Sequence, residues 1–160
     1  MNRNRAIYII FILTVAVVLF MNFNKKSGFD EEFSLPEGFT GCAYVLYNVE
    51  GAPELTLEEG TIKHRFNNQG ISITSSPESF GWPDKDEGSG PIQLTYQYVD
   101  ENGFITESIP IEEIHNQNLG SRDVDGEVII TKFSFSVKNN NNTCVNGNKL
   151  DELAEKYKAK

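Results

Sequence analysis

The apolar residues of this chain begin with one continuous segment. No charged side chain occurs from Ala6 to Asn24, and twelve of the eighteen residues from 6 to 23 are Ile, Leu, Val or Phe. As a helix, this segment would be about 27 Å long at 1.5 Å per residue, close to the roughly 30 Å hydrocarbon core of a bilayer. Because it is apolar on all sides and has charges at both ends, it predicts a transmembrane helix over residues 6–24 rather than a buried core helix.

The charges that flank the segment predict its orientation. Arg3 and Arg5 precede it, and Lys25 and Lys26 follow it, so the free amino terminus gives the N-terminal side a small basic excess. We therefore expect residues 1–5 to be cytoplasmic and the chain after residue 24 to lie outside the cell membrane. The exit from the segment lacks the small residues that signal peptidase recognises, which favours an uncleaved signal anchor over a removed signal peptide.

The rest of the chain divides into a short polar stretch and a region with strand periodicity. Residues 25–37 are irregular and rich in acids, which predicts a tether, and residues 38–160 predict an extracytoplasmic β-domain. In Thr61–Phe66, Ile62, His64 and Phe66 share one face, and a turn at 67–70 predicts a hairpin with the strand that contains Ile71 and Ile73.

Two later segments show the same period-two pattern. Ile92–Val99 places Ile92, Leu94, Tyr96 and Tyr98 on one face. The following Asp-Glu-Asn-Gly sequence is a turn signal, so Phe104–Ile109 is expected to return as the partner strand. Glu127–Val137 is the longest strand candidate, and its inward face is expected to carry Ile129, Phe133, Phe135 and Val137.

These patterns predict a mainly β fold, an antiparallel β-sandwich or a small barrel, because antiparallel sheets commonly bury one face and expose the other. The predicted transmembrane helix precedes this domain. Leu150, Leu153 and Tyr157 have helical spacing, so the chain is expected to end in a short helix over 149–158 that lies on the sheet.

The net charge of −9 is unevenly distributed. Four of the fourteen bases and none of the acids precede Gly28, so the chain from Gly28 onward has 10 bases and 23 acids and carries 10 − 23 = −13. We therefore do not expect this acidic region to bind nucleic acid, because contacts with phosphate groups need Lys and Arg.

Two cysteines, Cys42 and Cys144, fall in the part expected to be exported. An oxidising location favours a disulfide between them, which would close a loop of about 100 residues and contribute roughly 4–5 kcal/mol in the chain-entropy model. The alternative is one buried thiol and one loop thiol that never meet. Both possibilities stay open from the sequence, which lacks the CxxC spacing of a redox site or a zinc site.

No catalytic constellation can be assigned. Of the two histidines, His64 lies on an apolar face, where a packed and hydrogen-bonded histidine is expected rather than a general base, and His115 is expected to be exposed. No sequence resembles a nucleophile elbow or a phosphate-binding glycine loop. A binding or structural protein of the envelope is therefore favoured over an enzyme, and the alternatives are a carboxylate-dependent envelope hydrolase and a calcium-dependent interaction module.

Calcium is the one metal that the acids suggest. Asp84 with Asp86, and Asp123 with Asp125, have the Asp-x-Asp spacing that can surround a hard cation with oxygens. Neither pair continues into a full EF-hand pattern, so solvated turns are the competing interpretation. No other cofactor is expected.

The most distinctive loop contains the single tryptophan of the chain. Phe80 and Trp82 lie between two prolines, and exposed aromatic residues there, with the neighbouring Tyr96 and Tyr98, would suit the binding of a protein or a glycan. Alternatively, the loop folds its aromatic residue over the sheet as a lid on the core.

Five motifs carry a resemblance to a known group of proteins: LPEGFTG at 35–41, YNVEGAPEL at 47–55, EG at 59–60, GISITSSP at 70–77 and FGW at 80–82. In this order they resemble a family of small exported proteins of bacillus-type Gram-positive bacteria that is classed as a domain of unknown function. The resemblance implies a location in the envelope and carries over no catalytic residues. Many such relatives look like lipoproteins, whereas Cys42 lies too far downstream here to accept a lipid.

Overall fold

The computed structural model describes residues 12–15, 28–82, 92–124, 127–138 and 150, and the strands among them form two β-sheets. The five-stranded sheet has the order β3-β4-β1-β6-β7, and its strands are β1 Asp30–Pro36, β3 Thr56–Glu58, β4 Thr61–Arg65, β6 Leu94–Val99 and β7 Ile105–Ile109. The four-stranded sheet has the order β5-β2-β9-β8, and its strands are β2 Gly41–Tyr47, β5 Ile71–Ile73, β8 Ile114–Val124 and β9 Glu127–Val137. One 3₁₀ turn, Ile111–Glu113, joins β7 to β8.

Both sheets are mixed, so the prediction of a purely antiparallel architecture is wrong. β1 pairs in parallel with both β4 and β6, and β2 pairs in parallel with β5. The chain crosses from one sheet to the other after β1, β2, β4, β5 and β7, and a strand that returns after such a crossing can run parallel to its neighbour. The described strands do not close into a barrel.

The hairpin predicted around residues 100–103 is confirmed, and the one predicted around 67–70 is wrong. β6 and β7 pair antiparallel, and the Asp100 N–H donates to the Phe104 carbonyl at 2.9 Å. β4 and β5 belong to different sheets, so the turn between them is a crossing. An unpredicted hairpin joins β3 to β4 through Glu59 and Gly60, whose φ angles of 51° and 81° are typical of a two-residue hairpin turn.

Most of the predicted tether is instead the middle strand of the five-stranded sheet. β1 occupies Asp30–Pro36 and pairs with a strand on each side. The physical reason is the buried pair Phe33 and Leu35, which lies behind the acids that open the strand. The described part of the domain therefore begins near Gly28 rather than at residue 38.

The two sheets enclose a shared core that is rich in aromatic rings. Phe33 stacks between His64 and Tyr96, with ring centroids 4.6 and 4.9 Å apart, because the parallel register sets these three residues side by side. Phe135 of the other sheet meets Phe33 edge-on at 5.6 Å and Tyr96 at 5.1 Å. The inward faces predicted for Thr61–Phe66 and Ile92–Val99 are confirmed by the burial of His64 and Tyr96.

A second apolar cluster lies on the other face of the four-stranded sheet. Leu46, Ile71 and Ile130 pack there with Leu150, which is helical and buried. Leu150 is thus placed as the terminal helix prediction requires, and the remaining residues of that helix, 149 and 151–158, lie outside the described part.

Near the N-terminus, residues 12–15 are helical. No helix among the described residues has the length and apolar character needed to cross a bilayer. The rest of the segment 6–24 lies outside the described residues.

Candidate functional site

The predicted binding loop lies at the end of the domain where β1 begins. The ring of Trp82 covers Gly28, so that a Cβ built on Gly28 would meet Trp82 Cε3 at 3.2 Å and Ile92 Cγ2 at 3.2 Å. Gly81 lies directly over Ile62 and Phe29, whose side-chain carbons would be 2.6 and 2.9 Å from a Cβ at that position. The loop therefore closes this end of the five-stranded sheet.

Hydrogen bonds within the loop hold Trp82 in place. The Trp82 N–H donates to the Ser79 carbonyl at 3.1 Å, and the Phe80 N–H donates to the Pro77 carbonyl at 3.0 Å, so two successive turns precede the indole. Gly81 has a φ of +85°, in the left-handed region that side-chain-bearing residues avoid. The backbone thus needs a glycine immediately before Trp82.

A pocket of about 470 Å³ opens beside the indole, and we call it the Phe29–Trp82 pocket. Its walls combine two aromatic side chains, two carboxylates and three glycines: Gly28, Phe29, Asp30, Glu59, Gly60, Gly81 and Trp82. Trp82 is half-buried, and Phe29 is 40% exposed. The pocket therefore offers apolar contact area with hydrogen-bond acceptors at its rim.

A buried acid–histidine pair lies next to this pocket on the inner face of the sheet. Glu31 Oε2 is 3.1 Å from His64 Nε2, and the side chains are 15% and 1% exposed. Glu31 is the register partner of Ile62, which lies under Gly81. The prediction of a packed, hydrogen-bonded His64 is confirmed. Within the described part of the chain, its Nδ1 has no hydrogen-bond partner.

The negative charge of Glu31 helps to raise the pKa of two tyrosines and of a second glutamate. Burial raises the pKa of Tyr47 and of Tyr96, and the negative charge of Glu31 raises both further. Partial burial, and then Glu31, raise the pKa of Glu78, an exposed residue of the loop. Among the described groups, the Tyr96 hydroxyl is also buried without a hydrogen-bond partner.

We call this set of residues, Glu31, Tyr47, His64, Glu78 and Tyr96, the Glu31 cluster. Chemically, it offers a carboxylate held by a histidine, a second carboxyl group that takes up a proton more readily than an ordinary glutamate, and phenols that stay protonated. Such perturbed groups occur at functional sites and in structural networks alike.

The structure separates the four aromatic residues predicted to form a binding surface. Phe80 and Trp82 are half-buried in the loop, whereas Tyr96 and Tyr98 are each 2% exposed and belong to the core. Tyr98 donates its hydroxyl to the Phe39 carbonyl at 2.8 Å, at the opposite end of the sheet. The two tyrosines are therefore wrong as contact residues, because their strand face is the one enclosed between the sheets.

The predicted metal and disulfide residues fall largely outside the described part. Asp84, Asp86, Asp125 and Cys144 lie there, and of Asp123 only the backbone, in β8, is described. No group of three or more metal-ligating side chains occurs among the residues that the structure describes. Calcium binding stays a prediction.

Cys42 is disulfide-bonded. The chain has two cysteines, and the pairing of Cys42 with Cys144 stays a prediction.

Sequence reasoning missed Phe29, Glu31 and Glu78. A signal for the first two was present, since Phe29, Phe33 and Leu35 alternate along FDEEFSL and place Glu31 on the same face. The acids between them suggested a tether instead. For Glu78 the sequence carries no such signal, because its electrostatic interaction with Glu31 depends on how the chain crosses between the sheets.

A second pocket, of about 830 Å³, opens at the opposite end of the domain. Its lining includes the carboxylates Glu37, Asp100 and Glu101 and the rings of Phe39 and Phe66. Hydrogen bonds from backbone N–H groups, above all that of Phe104, lower the pKa of Asp100. The carboxylate of Asp100 therefore stabilises the β6–β7 turn.

Comparison with known proteins gives a family and a fold. Residues 28–146 match the family of unknown function DUF6843. A crystal structure described as "Putative Lipoprotein from Bacillus anthracis" has a TM-score of 0.62 and 23% sequence identity, covering 82% of this chain and 95% of that one. At this identity the likeness shows the fold alone. No curated protein matches the chain.

Proposed function

The chain belongs to the DUF6843 family of unknown function, and from this premise we propose that it is a membrane-anchored extracytoplasmic domain that binds an envelope component through the Phe29–Trp82 pocket. The uncharged apolar segment 6–24 supports the anchor. The lipoprotein description of the structural neighbour supports an envelope location. The domain would then act at the outer face of the cell membrane.

The observation that carries the binding role is the aromatic pocket itself. Phe29 remains 40% exposed beside a half-buried Trp82, whereas Phe33 and Phe135 of the core are 1% and 0% exposed. Aromatic residues of this kind supply contact area in binding sites at a small cost in conformational entropy. Asp30 and Glu59 add acceptors for hydroxyl or ammonium groups of a ligand.

Trp82 is the only tryptophan of the chain, so its fluorescence reports on this pocket without labelling. Full-length protein in neutral detergent would be titrated separately with phospholipid and with soluble cell-wall glycan fragments. We expect one of the two to shift the emission, and Phe29→Ala to weaken that response about tenfold, which corresponds to roughly 1.4 kcal/mol.

Phe104→Ala is the matched control, because Phe104 is 72% exposed and follows the turn at the other end of β6. This variant should bind like the wild type. The binding role is wrong if neither component changes the Trp82 emission, or if Phe29→Ala and Phe104→Ala have equal effects.

We propose a carboxylate-dependent hydrolase as the second candidate, because burial and the charge of Glu31, which pairs with His64, raise the pKa of Glu78. A carboxyl group with a raised pKa can act as a general acid while its neighbour stays ionised. The test is turnover of chromogenic esters and glycosides by the full chain, with Glu78→Gln and Glu31→Gln each expected to abolish it. Absence of turnover by the wild type across both substrate classes would remove this candidate.

A further inference from the structure

We infer that the Phe29–Trp82 pocket faces the bilayer and that its partner is the headgroup and glycerol region of a zwitterionic phospholipid. This inference rests on the proposed function, since it needs the membrane anchor, and it names the partner of the same pocket. It goes further by fixing which end of the domain lies on the membrane.

The short chain between the predicted membrane segment and β1 limits how far the pocket can lie from the bilayer. The predicted membrane segment ends at residue 24 and β1 begins at Asp30, so only residues 25–29 lie between them. The six Cα–Cα steps from residue 24 to Asp30 span at most about 22 Å when fully extended. The start of β1, and the pocket formed around it, must therefore lie within that distance of the membrane surface whatever path these residues take.

The direction of the strands identifies which end of the domain lies near the membrane. β1, β4 and β6 run parallel, so all three begin at the pocket end, and Phe104 follows the far end of β6. Six residues of β6 span about 20 Å at 3.3 Å each. The domain end that holds the Phe29–Trp82 pocket is thus the near end, and the β6–β7 turn is the far end.

The aromatic residues of the pocket suit the boundary between membrane and water. Tryptophan is enriched at the boundary between membrane and water, where an amphipathic ring contacts both chain and headgroup. Here the indole of Trp82 and the exposed ring of Phe29 border the same pocket of about 470 Å³. Because this end of the domain lies close to the bilayer and its pocket is lined by two aromatic rings, we expect the pocket to contact the membrane–water boundary rather than bulk water.

The charge of the pocket rim selects the headgroup. Asp30 and Glu59 line the pocket, and Glu31 follows Asp30 along β1. These carboxylates attract the ammonium group of a zwitterionic lipid and repel an anionic headgroup. Anionic lipid should therefore weaken the contact, and added salt should restore part of it by screening.

The test uses the full chain in phosphatidylcholine vesicles that contain lipids brominated either near the headgroup or deep in the acyl chain. Flotation of the vesicles first reports whether the protein is anchored. We then expect headgroup-proximal bromine to cause loss of most of the Trp82 emission and deep bromine to have little effect. Replacing part of the phosphatidylcholine with phosphatidylglycerol should reduce this quenching at low salt.

A variant with the single tryptophan moved to the far end is the matched control. It combines Trp82→Phe with Phe104→Trp, two conservative changes whose folding is checked by circular dichroism. Its emission should not respond to either brominated lipid.

Protein that floats but shows no quenching of Trp82 overturns the inference while the anchor stands. A response to glycan fragments alone, without quenching by lipid, overturns it while the binding role of the pocket stands. Equal quenching of both tryptophan positions also overturns it, because the domain would then lie on its side. Protein that does not float contradicts the anchor, and this inference with it.

Discussion

Gly81→Ala tests whether the loop is held against the sheet as tightly as the geometry indicates. At this position a Cβ would lie 2.6 Å from Ile62 Cδ1 and 2.9 Å from Phe29 Cδ2. Ile62 is 2% exposed and cannot turn towards solvent, so the loop or the ring of Phe29 must move. The substitution also places an alanine at a φ of +85°.

The two effects can be separated by a second glycine. Gly103 has a φ of +83° and nothing within 4 Å of a built Cβ, so Gly103→Ala carries the backbone penalty alone, about 1–2 kcal/mol. Gly81→Ala adds an overpacking penalty of about 1–3 kcal/mol. At about 4 °C for each kcal/mol in a domain of this size, Gly81→Ala should lower the Tm by roughly twice as much as Gly103→Ala.

The measurement is thermal unfolding of the full chain in detergent, followed by circular dichroism and by Trp82 emission. Ile62→Val removes the Cδ1 atom in the way, so it should be less harmful, or even favourable, in the Gly81→Ala background than alone. Equal Tm losses for Gly81→Ala and Gly103→Ala, or simple additivity of Gly81→Ala with Ile62→Val, would show that the loop is not packed against the sheet as described.

Three further predictions concern the core, the disulfide and pH. Phe33→Ala should destabilise the domain by about 3–5 kcal/mol because it removes the ring between the stacked aromatics, whereas the exposed Phe104→Ala should change the free energy of unfolding by less than about 0.5 kcal/mol in chemical denaturation; similar values for both would contradict the assigned core. Non-reducing peptide mapping should recover Cys42 linked to Cys144, and replacing both with serine should cost roughly 4–5 kcal/mol, while recovery of Cys42 in a disulfide between two chains would disprove the pairing. Because burial and the charge of Glu31 raise the folded pKa of Glu78 above 4.5, ionisation of this residue costs stability: nothing is lost below about pH 4.5, and the loss develops as the pH rises through the raised value. Glu78→Gln should therefore gain stability relative to the wild type between pH 4 and pH 7, and an unchanged difference would contradict the environment assigned to this residue.

Strand positions could be predicted from the sequence because burial of one face imposes a period of two. His64 and Tyr96 were expected to point inward, and both do. The pairing of the strands could not be predicted in the same way. Asn67 and Gly70 make a turn that looks like a hairpin, with the Gly70 N–H bonded to the Asn67 carbonyl at 2.9 Å. The next strand nevertheless joins β2, since the Tyr44 N–H donates to the Gly70 carbonyl at 2.8 Å.

The site was predictable only in part, for a related reason. Trp82 could be singled out because it is the only tryptophan and lies in a loop rich in turn residues. Its neighbours Phe29 and Glu31 come from a stretch whose charges resemble a tether, although charged residues also open a strand when its later residues are buried. Which distant segments meet at the pocket depends on long-range pairing, and a single sequence carries no local signal for that pairing.

The position of β1 also determines the order in which the sheet can assemble. Glu31 pairs with Ile62 and with Leu94, at separations of 62 − 31 = 31 and 94 − 31 = 63 residues. Synthesis therefore delivers the centre of the five-stranded sheet first and its two neighbours much later, and such distant pairings slow folding. Until then β1 has two unsatisfied edges, each able to recruit a strand from another molecule. The acids Asp30, Glu31 and Glu32 then keep separate copies apart by mutual repulsion, as gatekeeper charges do beside aggregation-prone segments, so the same charges that disguise the strand in the sequence protect it before the fold is complete.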